Sequence, residues 1–347
     1  MASPSLSPIE LNEYFKHSTA THTYNIRWAS IGDPSAPPLV FIHGTPWSSR
    51  VWYVHAQALS SHFHVYLFDS PGFGTSPLGQ PLPGQEINKE VELDADFSRE
   101  SEVLAALYKH WKASWGPKDA HVVAHGSGGL MSLRALLLHD CQFVSLYLIN
   151  VAALGAFQHP YFERFKDAEP FFQSLSLDDF DTVVTSFIRD SASSKLSGEL
   201  MEALKAPWVS TEQGKKAFIR QMIRASASQH DALADQLENM YPEIGTKIPV
   251  RVSWGDEDHW NHVLTASKLK DKLNAKDFFL IEGAGHLVMI DNVTELGVDL
   301  GRWLDQQELR MHELKVRLEV RGVVEGEKHI TDVANIGIQI QYVLHGS

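Results

Sequence analysis

Short apolar-rich runs alternate along this chain with longer stretches of helical period. Leu39–Ile42 is continuously apolar, the pattern of a strand buried on both faces of a parallel sheet. Phe63–Phe68, His121–Ala124, Phe143–Ile149, Val250–Trp254 and Phe278–Ile281 read as further strands, and Thr21–Ile31 as an earlier one closed by the turn formers Gly32-Asp33-Pro34. Helical patterns lie between them, at Ser98–Trp115 and Leu130–Leu138, with a closing helix near Val293–Trp303. Strand and helix in alternation predict a doubly wound, mostly parallel α/β sheet.

The alternation stops in one place. Residues 152–246 read as helices only, around Asp178–Arg189, Gly198–Leu204 and Glu212–Tyr241, with Ser210 and Gln213 as a capping box for the last. An insert between two strands of such a sheet lies over their C-terminal ends, where ligands bind. The expected organisation is a core at 1–151, a helical cap at 152–246, a second core part at 247–305 and a C-terminal extension at 306–347. Residues 75–97 form a polar excursion. In the extension, Lys315–Arg321 and Ile336–Leu344 alternate like strands, a candidate hairpin at a sheet edge or at a contact with a second copy of the chain.

Composition narrows the partners. The 347 residues are 44% hydrophobic and 21% charged, ordinary for a globular protein. A formal charge of −13, with no cluster of Lys and Arg, argues against nucleic acid or an anionic membrane as partner. The single cysteine, Cys141, forms no internal disulfide and points to a reducing, cytoplasmic setting. No metal-ligand spacing is present, so neither metal nor cofactor is expected.

The chemistry gathers at strand ends. In Val122-Val123-Ala124-His125-Gly126-Ser127-Gly128-Gly129, a strand meets tiny residues and then a helix, the layout of a sharp turn that exposes its apex residue. Three other loops follow strands: His43-Gly44-Thr45-Pro46, Asp256-Glu257-Asp258-His259 and Gly283-Ala284-Gly285-His286. Strand C-termini in one parallel sheet share an edge, so all four can converge. With the apex at Gly126, Ala124 and Gly128 fill the flanking small-residue positions. With Ser127 at the apex, His125 falls where a small residue belongs.

On HGTP, DSPGFGTS, VVAHGSGG, WGDEDHW and GAGH, residues 20–305 resemble the cap-bearing α/β-hydrolases of the epoxide hydrolase and haloalkane dehalogenase type. The resemblance implies His286 as general base, Asp258 as the acid orienting it, and the backbone N–H groups of Thr45 and Ser127 as an oxyanion hole. The family's alternative acid position, after the strand ending at Ile149, is held by Asn150. Trp47, Tyr161, Trp208, Tyr241 and Trp260 are candidate contacts to an apolar small-molecule substrate, the tyrosines being candidate proton donors to an opening epoxide. Residues that bind halide in dehalogenases are absent at Thr45 and Ser127.

The resemblance also places an aspartate, or in other relatives a serine, where this chain has Gly126. Glycine offers no nucleophile. Three readings stay open. The chain is a nucleophile-deficient hydrolase of epoxides, esters or lactones that traps its substrate; or a cofactor-free lyase or isomerase using His286 without a covalent intermediate; or a ligand-binding receptor on the same fold.

Overall fold

The structure is a computed structural model and describes residues 8–84, 97–154, 160–227 and 232–325. The strands are β1 (Glu13–Ser18), β2 (His22–Ile31), β3 (Pro38–Ile42), β4 (His64–Phe68), β5 (Gln80–Pro81), β6 (Ala120–His125), β7 (Phe143–Ile149), β8 (Val250–Gly255) and β9 (Asp277–Ile281). The core helices are α1 (Tyr53–Leu59), α2 (Phe97–Lys112) and α3 (Ser127–Leu138). Between β7 and β8 come α4 (Pro160–Asp167), α5 (Glu169–Ser174), α6 (Leu177–Ser191), α7 (Gly198–Val209), α8 (Glu212–Ala227) and α9 (Ala232–Lys247). Then follow α10 (Val263–Lys272), α11 (Val288–Asp291) and α12 (Val293–Glu325).

The strands form one sheet in the order β1-β2-β4-β3-β6-β7-β8-β9, with β5 beside β2. From β4 to β9 every pairing is parallel, while β1, β2 and β5 pair antiparallel at one end. This is an α/β hydrolase fold. β3, β4 and β6 are buried along their whole length, which explains their lack of polar alternation. The chain leaves β3 toward β4 on one side and returns as β6 on the other, so the order reverses between β3 and β6. Crevices open at such a reversal, above the strand C-termini. Ile42 pairs with Ala124, His125 with Ile149, Ile149 with Ser253 and Gly255 with Ile281, so the loops after these strands start at one level.

The helical insert leans on the loops after β3 and β4. Arg50 donates to the Ala203 carbonyl (3.2 Å), Gln221 to the Pro71 carbonyl (2.9 Å), and Trp208 meets the Phe73 ring edge-on at 5.7 Å. The insert differs from expectation in detail. α4 and α5 are short helices that the pattern missed, and α7 runs through Pro207 to Val209. Of the expected Glu212–Tyr241 helix, Glu212–Ala227 (α8) and Ala232 onward (α9, which reaches Lys247) are helical, and residues 228–231 lie outside the described residues. Its N-terminus is capped by Thr211, whose Oγ1 accepts from Gly214 N–H at 3.0 Å, whereas Ser210 donates backward to Ala206. The expected capping box does not form, because Ser210 still closes α7.

Two further corrections lie at the ends of the chain. β1 went unread because only Phe15 of it packs on the core, leaving Tyr14 exposed and no clear alternation. The Lys315–Arg321 stretch is part of α12, not a strand. Its Lys, Arg, Leu and Glu residues are strong helix formers, and that propensity outweighs the two-residue alternation. Ile336–Leu344 lies outside the described residues. Among the described residues, no helix is long and apolar enough to cross a membrane.

Close backbone approach holds the sheet edge together. A Cβ at Gly128 would stand 2.6 Å from the His43 carbonyl, and one at Gly129 2.2 Å from Val151 Cγ1. Gly128→Ala should therefore cost about 2–3 kcal/mol in denaturant unfolding. Gly198→Ala, where nothing lies within 4 Å, should change stability by less than about 1 kcal/mol. A second expectation concerns acid. His55 is buried, and burial pushes its imidazole down to about 4 from 6.5. The unfolded chain then takes up a proton that the folded one refuses, so stability falls as pH drops from about 6.5 toward 4, by up to about 3 kcal/mol. His55→Phe should flatten that part of the pH–stability curve; an unchanged slope would contradict it.

Candidate active site

β6 ends at His125, and Gly126 caps α3 with φ 56° and ψ −127°, a conformation that strains any residue with a Cβ. Gly126 is nevertheless the one position of this turn with space above it. A Cβ built there meets Gly44 Cα at 3.5 Å, His286 Nε2 at 3.6 Å and His286 Cε1 at 3.9 Å, all ordinary contacts. The apex vector therefore points at the second nitrogen of His286.

His286 Nδ1 hydrogen-bonds Asp258 Oδ2 at 3.0 Å, and both residues are buried. The other carboxylate oxygen, Oδ1, accepts the N–H groups of Trp260 (2.8 Å) and Asn261 (2.9 Å), which fixes the carboxylate plane. Of the neighbouring acids, Asp256 accepts from Ala284 N–H at 3.4 Å and Glu257 is exposed, whereas Asp258 bonds the imidazole. His286 Nε2 makes no hydrogen bond among the described residues and faces the space over Gly126. Such a pair can take a proton at Nε2 while Asp258 stabilises the resulting cation.

Three residues that were not site candidates in the sequence position this pair: Asn150, Asp291 and His125. Asn150, at φ 47°, accepts from Gly255 N–H (2.9 Å) and donates to the carbonyls of Gly285 (2.9 Å) and His286 (3.3 Å). Its own carbonyl accepts from Asn261 Nδ2 at 2.8 Å. One amide thus ties the ends of β7 and β8 to the histidine loop. Asp291 accepts from Gly285 N–H (2.9 Å) and from Ser193 (3.0 Å) and Ser194 (2.9 Å) of the segment after α6, stitching the insert to the same loop. His125 holds the histidine's main chain, donating Nε2–H to the His286 carbonyl at 2.9 Å. Burial, and then the nearby His286, push the His125 imidazole well below its ordinary range, so it serves as a neutral donor. In the sequence Asn150 is legible only as the residue at the alternative acid position after an apolar strand.

The HGTP loop is fixed by His43. Its Nε2 accepts from Ser70 N–H at 2.9 Å and its Nδ1 donates to Gly44 O at 3.0 Å, which requires the neutral ring. Burial favours that form by lowering the imidazole pKa. Asp69 clamps the neighbouring loop through Ser49 and Thr75. The expected oxyanion donors are arranged differently from expectation. Thr45 N–H donates to Ser127 Oγ at 2.9 Å, and Ser127 Oγ donates on to Thr45 Oγ1 at 3.1 Å. A serine side chain occupies that donor, because it follows the apex directly and reaches back across it.

The aromatic candidates divide. Trp260 stacks on His286 (5.0 Å), and Trp47 stacks on Trp260 (6.2 Å), with Phe187 of α6 edge-on to Trp260 at 4.5 Å. These rings wall His286. The Trp47 indole N–H is buried and finds no acceptor among the described residues. Trp208 packs between Phe73 and Phe218, inside the contact between the insert and the loop after β4. The Tyr241 hydroxyl donates to the Ala153 carbonyl (3.0 Å), and burial raises its pKa, which ties it down as a structural donor in this state. The Tyr161 side chain lies outside the described residues. No group of three or more His, Cys, Asp or Glu that could hold a metal occurs among the described residues.

The comparisons with known proteins agree on the fold. The pattern described as the alpha/beta hydrolase family matches residues 39–296. A dihydrolipoyllysine-residue acetyltransferase component of an acetoin cleaving system from Pseudomonas putida is 26% identical over 77% of this chain and 63% of its own length. Epoxide hydrolase A from Mycobacterium tuberculosis is 26% identical over 45% of each chain. The chain spans less than two thirds of the length of the first curated relatives it matches. Among solved structures, an alpha/beta hydrolase fold protein from Burkholderia ambifaria superposes with a TM-score of 0.70 at 27% identity, covering 84% of this chain and 97% of that one. Esterases and haloalkane dehalogenases are among the other matches.

The Asn150 strut gives a direct expectation. Asn150→Asp keeps the shape but removes the Nδ2 donor and sets a carboxylate against two carbonyls. Denaturant unfolding should show a loss of about 2–4 kcal/mol. A neutral result would mean that the strut does not hold the histidine loop.

Proposed function

The chain belongs to the alpha/beta hydrolase family, and from that premise we propose that its site is built to hydrolyse an epoxide, ester or lactone bond of an apolar small molecule, with Gly126 standing where the nucleophile belongs. One observation carries the reading: a Cβ built at Gly126 would stand 3.6 Å from His286 Nε2, at the apex of a sharp turn. In that position an aspartate oxygen would attack an epoxide carbon, forming an ester as the ring carbon–oxygen bond breaks and the freed oxygen takes a proton from solvent. His286 would then take a proton from water, whose oxygen attacks the ester carbonyl while Asp258 stabilises the imidazolium; the imidazolium returns its proton to the departing product hydroxyl, and the aspartate carboxylate is restored. With glycine the first step has no nucleophile, and the chain binds its ligand without covalent turnover.

The aromatic wall of Trp47, Phe187 and Trp260 supports an apolar ligand, with the unpaired Trp47 N–H as a donor to one polar atom of it. We assign the helical insert the role of a cap over this wall. Chemistry of this kind draws on side chains and water and calls for no cofactor.

A second reading draws on the same open face of His286. A base with Nε2 turned to unfilled space can take a proton from the bound molecule itself, the chemistry of a lyase or isomerase. The two separate on one comparison. Gly126→Asp and Gly126→Ser, assayed against epoxides, aryl esters and lactones, should gain at least roughly 10³-fold over the Gly126 chain in one substrate class. If neither variant gains and the Gly126 chain acts through a His286-dependent route, the hydrolase reading is wrong.

A further inference from the structure

We propose that the chain forms a two-fold dimer in which the sheet-edge strand β9 pairs antiparallel with β9 of a second copy, a contact independent of the chemistry read at Gly126. β9 (Asp277–Ile281) ends the sheet and pairs on one side with β8. The Ile281 carbonyl accepts the Asp256 N–H at 3.1 Å, so Ile281 turns its backbone groups toward β8. Backbone groups alternate sides along a strand, so Phe279 does the same, while Phe278 and Leu280 turn theirs outward. Among the described residues no strand lies beyond that outer edge.

The side chains of this edge are apolar and unshielded. Phe278 is 38% exposed and Leu280 39%, and both lie on one face of the strand, beside the buried Val252 and Trp254 of β8. Edges that stay unpaired are blunted by charge, proline or a bulge. β1, at the other end of the sheet, carries Glu13 and Lys16 within the strand. Phe278-Phe279-Leu280-Ile281 carries neither charge nor proline, and its register on β8 is regular.

Self-complementarity selects the second copy as occupant. With an antiparallel two-fold at Phe279, Phe278 of each copy faces Leu280 of the other, and these are the residues whose backbone groups point outward. Each such pair exchanges two N–H···O bonds, while Phe279 meets Phe279 as the closer, non-hydrogen-bonded pair. One step beyond each end of the strand, exposed Lys276 faces exposed Glu282, so opposite charges meet at both ends of the ribbon. The neighbouring registers lose this match. A two-fold at Phe278 sets Lys276 against Leu280, and one at Leu280 sets Glu282 against Phe278.

Sedimentation velocity of the full chain, in about 0.15 M NaCl to screen the charge of −13 on each copy, reads the contact. A dimer with a dissociation constant of about 1–100 µM is expected, since an interface built on one strand pair belongs to the small, weak class. Lys276→Glu and Glu282→Lys each create two like-charge pairs and should weaken the dimer at least about tenfold, whereas the double variant should return to within about threefold of the parent. Phe279→Cys stands on the two-fold and should give a disulfide-linked dimer on oxidation, while Asp277→Cys, opposite Ile281, should not; the native Cys141 is buried. A parent chain that stays monomeric throughout this range, single variants that dimerise as the parent does, a double variant that fails to recover, or no cross-link at residue 279 overturns the pairing. Hydrogen-exchange protection of the Phe278 and Leu280 amides that is independent of protein concentration also overturns it, because the chain's own residues would then cover the edge.

Discussion

The arrangement depends on backbones approaching at the sheet edge more closely than side chains permit. A Cβ on Gly44 would lie 2.8 Å from the His125 carbonyl, and one on Gly128 2.6 Å from the His43 carbonyl. The loops after β3 and β6 are therefore pressed against each other at the point where strand order reverses. That contact fixes the elbow at Gly126, sets the first turn of α3 beneath the crevice and brings the histidine loop within reach. Everything chemical in the molecule is a consequence of this packing, which explains why small residues crowd these two loops.

Around that edge, polar groups do the positioning. Asn150 grips β8 and the histidine loop together, His125 holds the His286 carbonyl, and Asp258 divides its two oxygens between the imidazole and the Trp260–Asn261 backbone. Buried and mutually satisfied, such a network is rigid, because breaking any one bond leaves another group unpaired in a low-dielectric interior. Asp291 extends it to Ser193 and Ser194, so the insert and the histidine loop are coupled through one carboxylate. His286 is thereby held beside the apex of the turn with its Nε2 facing Gly126.

Much of the core was legible because β3, β4 and β6 are buried on both faces and carry apolar runs that admit no other reading. The insert was harder. α4 and α5 are short, and α7 and α9 continue through Pro207 and Pro242, where tertiary packing overrides a helix breaker. Lys315–Arg321 was misread as a strand because alternation and helix propensity conflict there. At the site, the glycine-flanked histidine and the acid after Trp254-Gly255 could be found from motifs. Asn150 and Asp291 could not, since their roles come from hydrogen bonds between segments far apart in sequence. The Thr45–Ser127 bond was likewise invisible: nothing in HGTP or HGSGG says that a hydroxyl turns back onto a backbone donor.

The central claim is that the side chain missing at Gly126 is the one the site is built to use. Intact-protein and peptide mass spectrometry of the chain carrying Gly126→Asp together with His286→Gln tests it most directly, since an ester formed at residue 126 would then lack the base that clears it. With an aryl-substituted epoxide, the account predicts a stable adduct of the epoxide's mass on the peptide containing residue 126. No adduct there, or an adduct on Ser127 instead, would contradict it.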